Sequence, residues 1–115
     1  MTATTTARNW TTTNAQTALM QALLQGTARL TEMVQEYLPE ATTLTINART
    51  GAPVAISETG YLAWRAGEDS ILAPTLLHRI EQTAGNLLGL SSKRTTYIDA
   101  GWRPTIDRRF VIELG

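Results

Sequence analysis

Apolar residues recur at the helical period between about residues 13 and 38. Leu19, Ala22, Leu23, Gly26, Leu30, Met33, Val34 and Tyr37 fall in one stripe, with Gln21, Gln25, Arg29, Glu32, Gln35 and Glu36 opposite. Thr13 and Gln16 have the spacing of a capping box, which predicts a helix start there, and Pro39 supplies the stop. At ~1.5 Å per residue such a helix is about 35 Å long, more than a sheet of short strands covers. With Leu24 and Leu38 at the margin of the stripe, part of it is expected to pack against a second copy.

The period then changes to two. Leu44, Ile46 and Ala48 alternate with Thr43, Thr45 and Asn47, a turn follows at 49–52, and Val54 and Ile56 return on a second strand. Glu58-Thr59-Gly60 is a further turn signal, after which residues 61–65 make a third strand. A second helix is predicted after residue 70, capped by Asp69 or Ser70, tolerant of Pro74 in its first turn, and closed by a Schellman stop at Gly89 and Leu90. Its stripe is Ala73, Leu76, Leu77, Ile80, Ala84, Leu87 and Leu88. Two last strands are read at 95–100 and 106–114, with Ile106, Phe110, Ile112 and Leu114 sharing a face. The order α-β-β-β-α-β-β implies an α+β domain of two layers, a mostly antiparallel five-stranded sheet with two helices on one face.

Residues 1–13 fit neither period. They hold seven threonines and one tryptophan, which reads as a flexible arm preceding a single domain at 14–115. An aromatic side chain in such a setting either folds back on its own domain or anchors the arm on a neighbour, so Trp10 is a candidate partner contact. Leu24, Trp102 and Arg103 are candidates for the same role, although Trp102 fits the edge of the core as well as the top of an exposed turn.

Composition narrows the chemistry. The 115 residues include one histidine and no cysteine, and ten basic residues balance ten acidic ones. That neutrality argues mildly against a dedicated nucleic-acid binder. The absence of cysteine suits a reducing, cytoplasmic setting, and nothing reads as a membrane span or a signal peptide. Charge is nevertheless uneven. After residue 90, Lys93, Arg94, Arg103, Arg108 and Arg109 stand against Asp99, Asp107 and Glu113, which makes the closing hairpin a candidate nucleic-acid contact.

Catalytic parts are few. His78 has one carboxylate at helical spacing, Glu81 at the border of the apolar stripe, too few ligands for a metal site, and the serines lack a nucleophile-elbow setting. Asp99 and Asp107 flank a hairpin rich in arginine, where ion pairing is the simpler role. No catalytic residue, cofactor or metal is therefore expected, and the chain reads as a protein–protein interaction module, a scaffold, adaptor or assembly protein that associates with itself and an unidentified protein partner. The alternatives are a nucleic-acid-binding protein using the basic closing hairpin and a structural subunit of a larger particle.

The run Leu38-Pro39-Glu40-Ala41, followed by residues 43–57 with the turn Arg49-Thr50-Gly51-Ala52, resembles the opening of the roadblock/LC7 family, as does the helix ending Leu88-Gly89-Leu90. The resemblance spans about residues 28–114 and implies a dimeric scaffold or a regulator of small GTPases. It departs from the family in an extra strand at 61–65 and in lacking a third closing strand and a final helix. The same helix-meander-helix stretch is also similar to the YbaB/EbfC nucleoid proteins, which bind DNA as dimers.

Overall fold

The computed structural model describes residues 2–67 and 72–115, with side chains from residue 14 onward. Helix α1 (Thr2–Tyr37) leads into strands β1 (Ala41–Asn47), β2 (Pro53–Glu58) and β3 (Tyr61–Arg65). Helices α2 (Pro74–Leu88) and α3 (Arg94–Asp99) follow, then strands β4 (Arg103–Pro104) and β5 (Arg109–Glu113). The five strands form one antiparallel sheet in the order β3-β2-β1-β5-β4. The α+β architecture read from the sequence is thus the one observed, with α3 as an additional short helix.

The core lies between one sheet face and the two long helices. Leu44 and Ile46 of β1, Ile56 of β2, Trp64 of β3, and Phe110 and Ile112 of β5 are buried against Leu23, Leu30, Met33 and Val34 of α1 and Leu76, Ile80, Ala84 and Leu87 of α2. Thr43, Thr45, Ser57 and Val111 alternate with these on the other face. Close approaches fix α2 in place. Leu87 occupies the space beside Gly26 on α1, where an added Cβ would lie 2.3 Å from its side chain. On the other side, the backbone at Gly51 in the β1–β2 turn rests on α2 at Gly85.

Several local expectations are not met. Helix α1 begins at Thr2 and passes without interruption through the Thr13–Gln16 box. That box is a local preference of about 1 kcal/mol, and no Gly or Pro between residues 2 and 13 breaks the helix. At the start of α2 the cap position is Ala73, followed by Pro74, while Asp69 and Ser70 lie outside the described residues. Gly89 at its end has φ −75°, an ordinary right-handed value, so no Schellman turn forms.

The segment expected to be a strand at 95–100 is instead α3. Ser91 Oγ accepts the Lys93 N–H at 3.1 Å and lies 3.0 Å from Thr96 Oγ1, which turns the chain. Tyr97 is then buried, and its hydroxyl donates at 2.7 Å to the Leu87 carbonyl at the end of α2, which also accepts the Leu90 N–H at 3.1 Å. Ile106 is fully exposed, not part of the Phe110, Ile112 and Leu114 face. The reason is the turn. Arg108 adopts φ 62°, Thr105 N–H bonds the Arg109 carbonyl at 2.9 Å, and Ile106 and Asp107 form the tip between them.

Candidate functional site

A cleft of about 740 Å³ lies where the end of α2, α3 and the β4–β5 hairpin meet the β1–β2 turn. Its apolar lining includes Ala48, Leu88, Tyr97 and Phe110, and four arginines, Arg49, Arg94, Arg108 and Arg109, contribute to its walls. No carboxylate lines it.

Each arginine arrives by a different local device. The Asn47 Oδ1 accepts the N–H groups of Arg49 and Thr50 at 2.8 and 3.1 Å, an Asx turn that fixes the β1–β2 tip. Arg94 opens α3. Arg108 occupies the left-handed region, which costs a non-glycine residue about 1–2 kcal/mol, and its carbonyl accepts the Ala48 N–H at 3.0 Å, tying the hairpin to β1. Arg109 pairs with Asp107 at 3.2 Å. The Asp107 carboxyl is held below its usual range chiefly by the hydrogen bond from Thr105 Oγ1, which outweighs the opposing effect of burial, and the Arg109 charge adds a lesser lowering. Among the described residues, Arg49, Arg94 and Arg108 have no carboxylate partner. Three unneutralised guanidinium groups beside an apolar floor form a site for an anionic group carried on an apolar body.

The floor is rigid. Tyr97, Trp102 and Phe110 pack as a triad with ring centroids 5.2–5.7 Å apart. Burial pushes the Tyr97 hydroxyl above the ordinary phenol range, while the Ser91 N–H that it accepts at 3.2 Å pulls it the other way.

The residues singled out from the sequence fall in different places. Arg94, Arg108 and Arg109 do converge, joined by Arg49, which the charge pattern did not single out because it belongs to a distant turn. Lys93 is exposed at the cap position of α3, outside the cleft lining. Arg103 lies on the other side of the hairpin, paired with Glu113 at 2.5 Å. Trp102 is 1% exposed and therefore unavailable as a surface contact. Leu24 is 51% exposed on α1. The side chain of Trp10 lies outside those described. His78 is exposed, and among the described residues no group of three His, Cys, Asp or Glu could hold a metal ion.

The opposite end of β1 has the opposite charge. Ala41, at its start, pairs with Glu58, and Tyr61 donates a hydrogen bond to the Glu58 carboxylate. Its hydroxyl is pushed above the usual range, chiefly by that bond, and the Glu40 charge adds to the effect. Tyr61 is 60% exposed, and Tyr37, three residues before Glu40, is 49% exposed. No helix among the described residues is long and apolar enough to cross a membrane. No family model, curated protein or solved structure matches the chain.

Proposed function

We propose that this protein is a non-catalytic interaction module, a homo-oligomeric scaffold, adaptor or assembly protein of the cytoplasm, whose amino-terminal segment contacts a neighbouring subunit or partner. The observation that carries this reading is the overhang of α1. The helix has 36 residues, but its first buried side chain among those described is Leu23, and residues 14–18 are all exposed. Among the residues whose side chains are described, those at 14–22, about 14 Å of helix, thus precede the first core position, on a molecule measuring 63 × 27 × 26 Å.

Such a segment is a poor helix on its own. Threonine lies low on the helix-propensity scale, and even alanine-rich helices need about 12–15 residues to be marginally stable in water. Contact with another chain offsets that cost. The exposed Leu24 lies at the junction between the packed and unpacked parts of α1. The resemblance to the roadblock/LC7 family implies the same kind of work, self-association in the service of a partner.

Light scattering after size exclusion tests the reading on full-length protein, on Trp10→Ala, and on residues 14–115, which retain every core side chain identified above. The expected result is a defined oligomer for the full chain, dissociated or weakened in both altered forms, with the melting temperature of Trp10→Ala almost unchanged. A monomer in all three samples overturns it.

The convergence of Arg94, Arg108 and Arg109 with Arg49 favours a second reading, in which the cleft contacts nucleic acid. Binding through phosphate contacts falls steeply with salt, because each neutralised phosphate releases condensed counterions. Retention on a single- or double-stranded DNA column at low salt, lost on raising the salt, is its expected signature. No retention at low salt disposes of it.

A further inference from the structure

From the charge distribution we infer that the arginine cleft receives the acidic end of a second copy of this chain, so that subunits join head to tail. The inference rests on the self-association proposed above and adds a second contact to that of the amino-terminal segment.

Two independent features support it. One is the cleft, with Arg49, Arg94 and Arg108 unpaired among the described residues and an apolar floor between them. The other is the end of the sheet where Glu40 and Glu58 flank the exposed ring of Tyr61. Asn47 pairs with Arg109 at one end of β1, whereas Ala41 pairs with Glu58 at the other. Six residues of strand at ~3.3 Å each put about 20 Å between the two poles.

A chain of zero formal charge is therefore polar along its strands, with a basic cleft at one end and Glu40 and Glu58 at the other. The acidic end supplies the carboxylates that the cleft lacks, beside a tyrosine ring that can meet Leu88 and Ala48. Arginine is suited to this role, since its planar fork pairs a carboxylate through two N–H groups and its weak hydration lowers the cost of leaving water.

Geometry dictates the kind of assembly. The two surfaces are different, so the contact is heterologous, and one subunit keeps a free cleft while another keeps a free acidic end. Repetition yields a closed ring or an open filament, not a two-fold dimer.

The test uses two full-length variants altered at exposed or half-buried positions away from the core. Arg49→Glu with Arg94→Glu disables the cleft and leaves the acidic end intact. Glu40→Gln with Glu58→Gln disables the acidic end and leaves the cleft. Each alone is expected to be monomeric where the unaltered protein assembles, the dissociation constant rising by about 100-fold. Mixed in equal amounts, they are expected to form a one-to-one dimer that grows no further, because the only competent cleft meets the only competent acidic end. Circular dichroism melts checking that both variants fold accompany the mass measurement. If the unaltered protein assembles and either variant keeps its full mass, or if the mixture stays monomeric, the head-to-tail contact is refuted while self-association stands. If the unaltered protein is itself a monomer, both fall.

Discussion

Replacing Trp102 by alanine is expected to destabilise the fold by about 3–5 kcal/mol, the range for a buried aromatic truncated to a methyl group. The side chain is 1% exposed and packs on Tyr97 and Phe110. Its indole Nε1–H donates to Thr27 Oγ1 at 3.0 Å, and that hydroxyl in turn donates to the Leu23 carbonyl at 2.7 Å. The indole thus joins α1 to the segment before β4 through a short polar relay inside an apolar core. Its removal opens a cavity, forfeits two ring contacts of ~0.5–1.5 kcal/mol each, and leaves Thr27 without its donor. Small domains have only about 5–15 kcal/mol of stability in total, so the loss should appear as a fall in melting temperature of roughly 10–25 °C. Trp102→Phe keeps a ring and loses the N–H, and is expected to fall between the two. A denaturation midpoint for Trp102→Ala within about 1 kcal/mol of the parent would contradict the packing described here.

The parts of the fold that the sequence revealed are those in which a residue's fate depends on near neighbours. The stripe Leu23, Leu30, Met33 and Val34 and the alternation through Leu44 and Ile46 show their buried faces directly. The misreadings after residue 90 include cases in which a distant element decides. Thr95-Thr96-Tyr97-Ile98 is β-branched and aromatic, a strand by composition, yet it coils as α3 because Tyr97 finds its hydrogen-bond partner on α2. Arg103 and Pro104 carry turn residues in sequence and pair with Val111 and Phe110 as β4 because β5 continues past them. Trp102 was open between core edge and exposed turn, and the Tyr97, Phe110 and Thr27 environment that buries it comes from three separate elements.

The cleft shows the same limit. Three of its four arginines cluster in sequence, but Arg49 lies some 45 residues earlier, and only the β1–β5 pairing brings it across. The acidic end likewise unites Glu40 with Tyr61 through a hairpin. One local sign was available. Arg108 stands where the hairpin needs a left-handed residue and glycine or asparagine would fit more easily, and backbone strain of this kind collects at binding sites.

The second large effect is expected at Gly51→Ala, and Gly60→Ala supplies its control. Both glycines have φ near the same left-handed value, +82° and +85°, so both substitutions carry the conformational cost of about 1–2 kcal/mol for a side chain in that region. They differ in surroundings. Around Gly60 nothing lies within 4 Å of the added Cβ, whereas at Gly51 it would sit 2.5 Å from the Gly85 amide nitrogen and 2.9 Å from the Ala84 carbonyl carbon. Those atoms are helix backbone, so no rotamer change relieves the clash, and either the β1–β2 turn or α2 must shift. Overpacking of that kind adds about 1–3 kcal/mol, which puts Gly51→Ala at roughly 2–5 kcal/mol against ~1–2 for Gly60→Ala. Chemical denaturation of the two variants side by side isolates the close approach, and equal losses would show that the turn does not bear on α2 as described. The same turn carries Arg49 into the cleft. A displaced Gly51 therefore moves a binding arginine, and Gly51→Ala should weaken head-to-tail assembly even under conditions where the variant remains folded, while Gly60→Ala leaves assembly unchanged.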